Sequence, residues 1–161
     1  MTIAAGDRLP SVTFRQMTDE GIKETTSDEL FAGKKAVLFA VPGAFTPTCS
    51  DQHLPGYVRA LDAFSGKGVD LVACTAVNDA FVLHAWASQN GAAEGIAMLA
   101  DGNGDFAKAV GLELDARGFG LGVRSKRYAM LIEDGVVTSI EIEDNPGAVE
   151  VSDAQSMLSA L

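Results

Sequence analysis

The chain has 161 residues, 47% apolar and 21% charged, which is enough for a full core in a soluble globular domain. A formal net charge of −10 speaks against nucleic acid or an anionic membrane surface as partner, since both demand basic patches. Two cysteines, Cys49 and Cys74, and two histidines, His53 and His84, show no metal-ligand spacing, and no apolar run nears the roughly 18 residues that span a bilayer. Met1 to Arg8 lacks a basic stretch followed by an apolar one, so no secretory leader is read there and a cytoplasmic protein is expected. With no repeat, low-complexity tract or linker, residues 1–161 read as one domain.

In chain order, Ser11 to Arg15 and Ile22 to Thr25 read as short extended pieces around an Asp19-Glu20-Gly21 turn. Ser27 to Phe31 reads as a helical turn stopped by Gly33, and Ala36 to Val41 as the first core strand. After Cys49, Leu54, Val58 and Leu61 recur at helical spacing with Tyr57 and Phe64 nearby. Pro55-Gly56 inside that run predicts a kink, and Gly66 to Gly68 its end. Val69 to Val77 is nearly all apolar, the pattern of a strand buried on both faces. Asp79 to Asn90 reads as a helix, Ile96 to Ala100 as a strand, and Asp105 to Val110 as a short helix after Asp101-Gly102-Asn103-Gly104. Gly118, Gly120 and Gly122 mark a tightly turned segment. Tyr128 to Ile132 and Val136 to Ile142 flank Glu133-Asp134-Gly135, a strong hairpin signal, and a last helix starts near Ser152. This alternation predicts a mixed central sheet with helices on both faces, and a thioredoxin-like α/β/α sandwich fits the order.

Chemistry concentrates at Pro42-Gly43-Ala44-Phe45-Thr46-Pro47-Thr48-Cys49, between the first core strand and the helix. Open α/β sheets place their reactions at this edge. Thr46 suits the N-cap and Pro47 the first helical position, so Cys49 is expected in the first turn. There the free backbone N–H groups and the positive end of the helix dipole favour a thiolate, which is the nucleophilic form. The Thr46 hydroxyl is expected to accept from the Cys49 N–H while its own proton points at the sulfur or a substrate oxygen. Pro42, lacking an N–H, is expected to hold the loop rigidly over the sulfur. His53, four residues on, shares the Cys49 face and is read as an orienting or packing residue rather than a base.

Pro42 to Ser50 with His53-Leu54-Pro55-Gly56, Val77 to Val82, and Gly120-Leu121-Gly122-Val123-Arg124-Ser125-Lys126-Arg127-Tyr128 together resemble the peroxiredoxins, most closely the type II, or peroxiredoxin-5, subfamily. The likeness covers most of the chain in matching order. It implies a thioredoxin-like fold and a peroxidase with no metal or organic cofactor. Cys49 would be the peroxidatic cysteine, cycling from thiolate to sulfenic acid as it reduces hydrogen peroxide or an alkyl hydroperoxide. The family pattern is Pro-x-x-x-Thr-x-x-Cys plus a distant arginine. It assigns roles to Pro42, Thr46 and Cys49, and Arg124 is taken as that arginine over its neighbour Arg127, which on an extended strand would face the other way. Phe45, Phe119 and Leu121 are open to three readings: an apolar collar, a contact in the homodimer the family implies, or ordinary core.

No cysteine follows Cys74, so the late resolving cysteine of mammalian-type relatives is missing, and Cys74 itself, in an apolar strand, reads as an inert buried thiol. An external thiol, glutathione with glutaredoxin or else thioredoxin, is the expected reductant. A redox sensor that uses Cys49 oxidation as a signal, with little turnover, is the second reading. Exchange with protein disulfides is disfavoured because Ser50 to His53 offers Cys49 no partner cysteine.

Overall fold

Period-two alternation decides the layering, and the first core strand shows it most directly. In β3 (Lys35–Ala40), Val37 and Phe39 pack on one side of the sheet, followed by Val41, while Ala36, Leu38 and Ala40 pack on the other. The computed structural model describes residues 1–161 as a seven-stranded mixed sheet with a helical layer on each face. The strands are β1 (Thr13–Thr18), β2 (Gly21–Thr26), β3, β4 (Leu71–Ala76), β5 (Ala97–Ala100), β8 (Tyr128–Glu133) and β9 (Val136–Ile142), in spatial order β2-β1-β5-β4-β3-β8-β9. A separate ribbon pairs β6 (Glu113–Asp115) with β7 (Val123–Ser125). β3, β4 and β5 are parallel, and both flanking pairs of strands join them antiparallel.

On the first face lie α2 (Leu54–Gly66), α3 (Ala80–Gln89) and α5 (Ala154–Ser159), with Phe39, Leu54, Tyr57, Leu83, Trp86 and Met157 in one buried cluster. The Phe39 and Tyr57 rings stack at 3.9 Å, a geometry worth about 0.5–1.5 kcal/mol beyond the area it buries. The second face is covered by the short α1 (Ser27–Phe31) and α4 (Asp105–Ala109), through Phe31 and Phe106. The thioredoxin-like sandwich read from the element order is thus the observed architecture.

Local signals explain most boundaries. Thr26 caps α1 by accepting from the Glu29 N–H, and Asp79 caps α3 by accepting from the Val82 N–H. Asp134 and Gly135 both have positive φ, the two-residue turn that suits the twist of the β8–β9 hairpin. The kink expected at Pro55 takes a specific form: residues Cys49–His53 make a π-helical turn, closed by the Leu54 N–H donating to the Cys49 carbonyl. A proline ring collides with the carbonyl four residues back, and the wider turn gives it room.

Candidate active site

Cys49 sits where the sequence reading puts it, at the C-terminal edge of β3 in the first turn of a helix that starts at Pro47. The Ser50 N–H donates to the Thr46 carbonyl at 3.0 Å, the first bond of that helix. The Cys49 side chain is fully buried. The loop before it is held on both flanks. The Ala44 N–H donates to Asn78 Oδ1 at 2.9 Å, and Arg124 donates through Nε to the Leu121 carbonyl and through Nη1 to that of Pro42, at 2.8 and 3.5 Å. A Cβ at Gly43 would lie 2.9 Å from Arg124 Nη1, so a side chain there would push the end of this brace aside.

Two of the expected contacts are rearranged. The Thr46 hydroxyl does not cap the Cys49 N–H. It lies 2.7 Å from the Gly43 carbonyl and 2.9 Å from Cys49 Sγ. One proton serves both acceptors, so a thiol can donate to this oxygen and a thiolate can accept from it. The arginine on the sulfur is Arg127, not Arg124: Arg127 Nη2 donates to Cys49 Sγ at 2.9 Å. The alternation used to choose Arg124 does not run through this stretch, because β7 ends at Ser125 and β8 begins at Tyr128. Ala40 pairs with Tyr128, so Arg127 stands one step beyond the register, level with Val41 and beside the Pro42 loop. Counting back along β8 would have found it, since Leu131 and Ala129 lie on the α2 face and Arg127 continues that row.

Arg127 is 1% exposed, yet no carboxylate pairs with it; the two ion pairs of the chain, Arg15–Glu24 and Arg117–Asp115, are elsewhere. A buried guanidinium without a carboxylate demands another anion, and the sulfur is the group in contact that can supply one. Its remaining nitrogens are also engaged. Nε donates to the Pro146 carbonyl at 2.9 Å and Nη1 lies 2.8 Å from His53 Nδ1. His53 is buried, and burial first, then the Arg127 charge, lowers its pKa to about 4. It therefore stays neutral at physiological pH, and with Nδ1 facing Arg127 and Nε2 facing the Ser152 carbonyl it has no free lone pair to serve as a base for the sulfur.

A cleft of about 300 Å³ opens beside the sulfur, lined by Pro42, Thr46, Phe119, Leu121, Arg127 and Pro146 among others. Phe119 is 87% exposed and Phe45 49%, which rules out core packing for both. Cys74 is buried on the same face of the sheet, and burial raises its thiol well above the ordinary range. No group of side chains is placed to hold a metal ion, and no helix is long and apolar enough to cross a membrane.

The Redoxin family model matches residues 4–158. The chain is 49% identical to the chloroplastic peroxiredoxin-2E-2 of Oryza sativa subsp. japonica, covering 99% of this chain and 73% of that protein. It is 43% identical to peroxiredoxin-2B of Arabidopsis thaliana, over 99% and 98% of the two chains. Among solved structures, reduced Prx3 of Vibrio vulnificus in complex with hydrogen peroxide superposes with a TM-score of 0.94 at 55% identity, over 99% of each chain.

Proposed function

This chain belongs to the Redoxin family, its homologues are peroxiredoxins and it is a thiol-dependent peroxidase; on that premise we propose that Cys49 is the peroxidatic cysteine and Arg127 the charge that steers its reaction. The observation that carries the assignment is the convergence of Thr46 Oγ1 and Arg127 Nη2 on Cys49 Sγ, both at 2.9 Å and both lining one cleft.

In the proposed cycle the Cys49 thiolate attacks the terminal oxygen of a hydroperoxide. The S–O bond forms as the O–O bond breaks, and the departing alkoxide or hydroxide takes up a proton to leave as alcohol or water. Negative charge moves from sulfur to the departing oxygen during this step. Arg127 and the Thr46 hydroxyl can donate to both sites, so the stabilisation follows the charge and is largest in the transition state. Pro42 lines the cleft, and Arg124 braces the loop that carries Pro42 instead of touching the sulfur. No step calls for a metal or an organic cofactor.

An external thiol then condenses with the sulfenic acid, forming a mixed disulfide and water, and a second thiol releases Cys49 reduced. Glutathione with glutaredoxin is the proposed reductant, with thioredoxin as the alternative; the absence of any cysteine after Cys74 supports an external donor. The same reading makes the protein a single-domain homodimer joined through exposed Phe45, Phe119 and Val123 beside the cleft, and places it in the cytoplasm. The test is hydrogen peroxide consumption with glutathione, glutaredoxin and their recycling system. Turnover by the wild type and none by Cys49→Ser is expected. Equal consumption by both would overturn the assignment, and rapid oxidation of Cys49 without turnover would point to a sensor.

A further inference from the structure

We propose that His53 is a positioning residue: in its Nε2–H tautomer, keyed by the Ser152 carbonyl, it holds the Arg127 guanidinium against Cys49. The proposal rests on the reading of Cys49 as the peroxide-reactive thiol and goes beyond it.

Donor and acceptor chemistry fixes the tautomer. His53 Nε2 lies 2.9 Å from the Ser152 carbonyl oxygen, which can only accept, so the proton is on Nε2. The ring nitrogen facing Arg127 Nη1 at 2.8 Å must then be the lone-pair nitrogen, because a guanidinium can only donate. A charged ring would set N–H against N–H, and the lowered pKa agrees with its exclusion. The groups around the ring are Arg127, the rings of Phe39 and Tyr57, and the more distant carboxylates of Glu143 and Asp153. None of these competes for Nδ1.

The key is itself anchored. Glu143 Oε2 accepts from the N–H groups of Glu150, Val151 and Ser152 at 2.9, 2.9 and 2.8 Å, and from the Ser152 hydroxyl at 2.6 Å. Tyr57 donates its hydroxyl to the same Ser152 carbonyl at 2.8 Å. The segment before α5 therefore reaches the sulfur through a chain of hydrogen bonds that joins Glu143, Ser152, His53, Arg127 and Cys49, with Arg127 donating to both of its neighbours. Pro146, whose carbonyl takes the Arg127 Nε–H, belongs to the same segment.

The first test needs no variant. With two histidines in the chain, ¹⁵N NMR of the reduced protein reads the ring directly. A neutral ring with Nε2 protonated is expected at pH 7; an Nδ1–H tautomer or a charged ring overturns the proposal. The second test separates the two ring nitrogens. In His53→Asn the side-chain oxygen overlies Nδ1 and still accepts from Arg127, whereas in His53→Gln the amide nitrogen overlies Nε2 and only the Ser152 bond survives. Rapid-mixing rates of Cys49 oxidation by hydrogen peroxide are normalised to rates of its alkylation by iodoacetamide, which needs no guanidinium aligned on an oxygen. The ratio is expected to stay within about threefold of wild type for Asn and to fall at least about tenfold for Gln. Equal ratios in the two variants overturn the proposal, whether both match wild type or both fall. A wild type that does not react with peroxide would instead sink the peroxidase reading.

Discussion

At the scale of single residues, the site is one sulfur met by a guanidinium that can only donate and a hydroxyl that can donate or accept. Thr46 is replaceable by serine but not by valine: Thr46→Val, which keeps the shape and drops the hydroxyl, should slow Cys49 oxidation by roughly a hundredfold, with Thr46→Ser recovering most of it. Stopped-flow oxidation under single-turnover conditions would show this. His53 also leaves a mark on stability. The unfolded chain binds a proton at His53 as pH falls through 6.5, but the folded chain does so only near about 4, so the folded state weakens across that window, by up to about 3 kcal/mol at its lower end. Urea unfolding at pH 7 and pH 4.5 should show the loss in the wild type and a smaller one in His53→Asn. The cysteine, its threonine and the loop proline were legible in the sequence because one local motif holds them. Arg127 was missed because alternation was counted from Arg124 across the break between β7 and β8, instead of back along β8 from Leu131 and Ala129.

Among the elements, the one that matters most is the π-helical turn at Cys49–His53. It carries Cys49 at its start and His53 at its end, and the Trp86 Nε1–H donates to Ser50 Oγ at 2.9 Å from α3. Pro55 favours the wide turn, so Pro55→Ala should restore ordinary helical register, shift Cys49 relative to Arg127, and lower the peroxide rate about tenfold without lowering the melting temperature. A variant that kept the wild-type rate would show that the turn has another cause. The segment between β9 and α5 is the second such element. Burial pushes the Glu143 carboxyl up, but the hydrogen bonds from Ser152, Val151 and Glu150 outweigh it and hold its pKa below the ordinary value of 4.5. The stability it lends is present above that pH and lost as pH falls through the lower folded value, so this segment should gain amide exchange first in acid. Proline gave away a distortion in the sequence, though not its form. The anchoring of residues 150–152 gave no signal, because it is made of backbone N–H groups that every residue carries.

For the whole molecule, the layering was legible because apolar runs, caps and the Asp134-Gly135 turn all agree with one architecture. The β6–β7 ribbon escaped notice: its strands have three residues each and are too short to show alternation. Two predictions belong here. Phe119 stands out from the surface beside the cleft, so Phe119→Glu should shift the proposed dimer toward monomer in sedimentation velocity while the fold, read by circular dichroism, is kept. Cys74 is fully buried in β4 and does not line the cleft, so Cys74→Ser should keep turnover with glutathione and glutaredoxin and cost about 1–3 kcal/mol for the buried hydroxyl. Lost turnover in a folded Cys74→Ser protein would contradict the external-thiol cycle.

The measurement that bears most directly on the central claim is the single-turnover rate of Cys49 oxidation by hydrogen peroxide in Arg127→Gln and Arg124→Gln. The geometry predicts a loss of about a hundredfold or more for Arg127→Gln and less than about tenfold for Arg124→Gln, whose side chain braces the loop. The reverse order, or wild-type rates in both, would contradict an active site in which the Arg127 guanidinium stabilises the charge passing from sulfur to the peroxide oxygen.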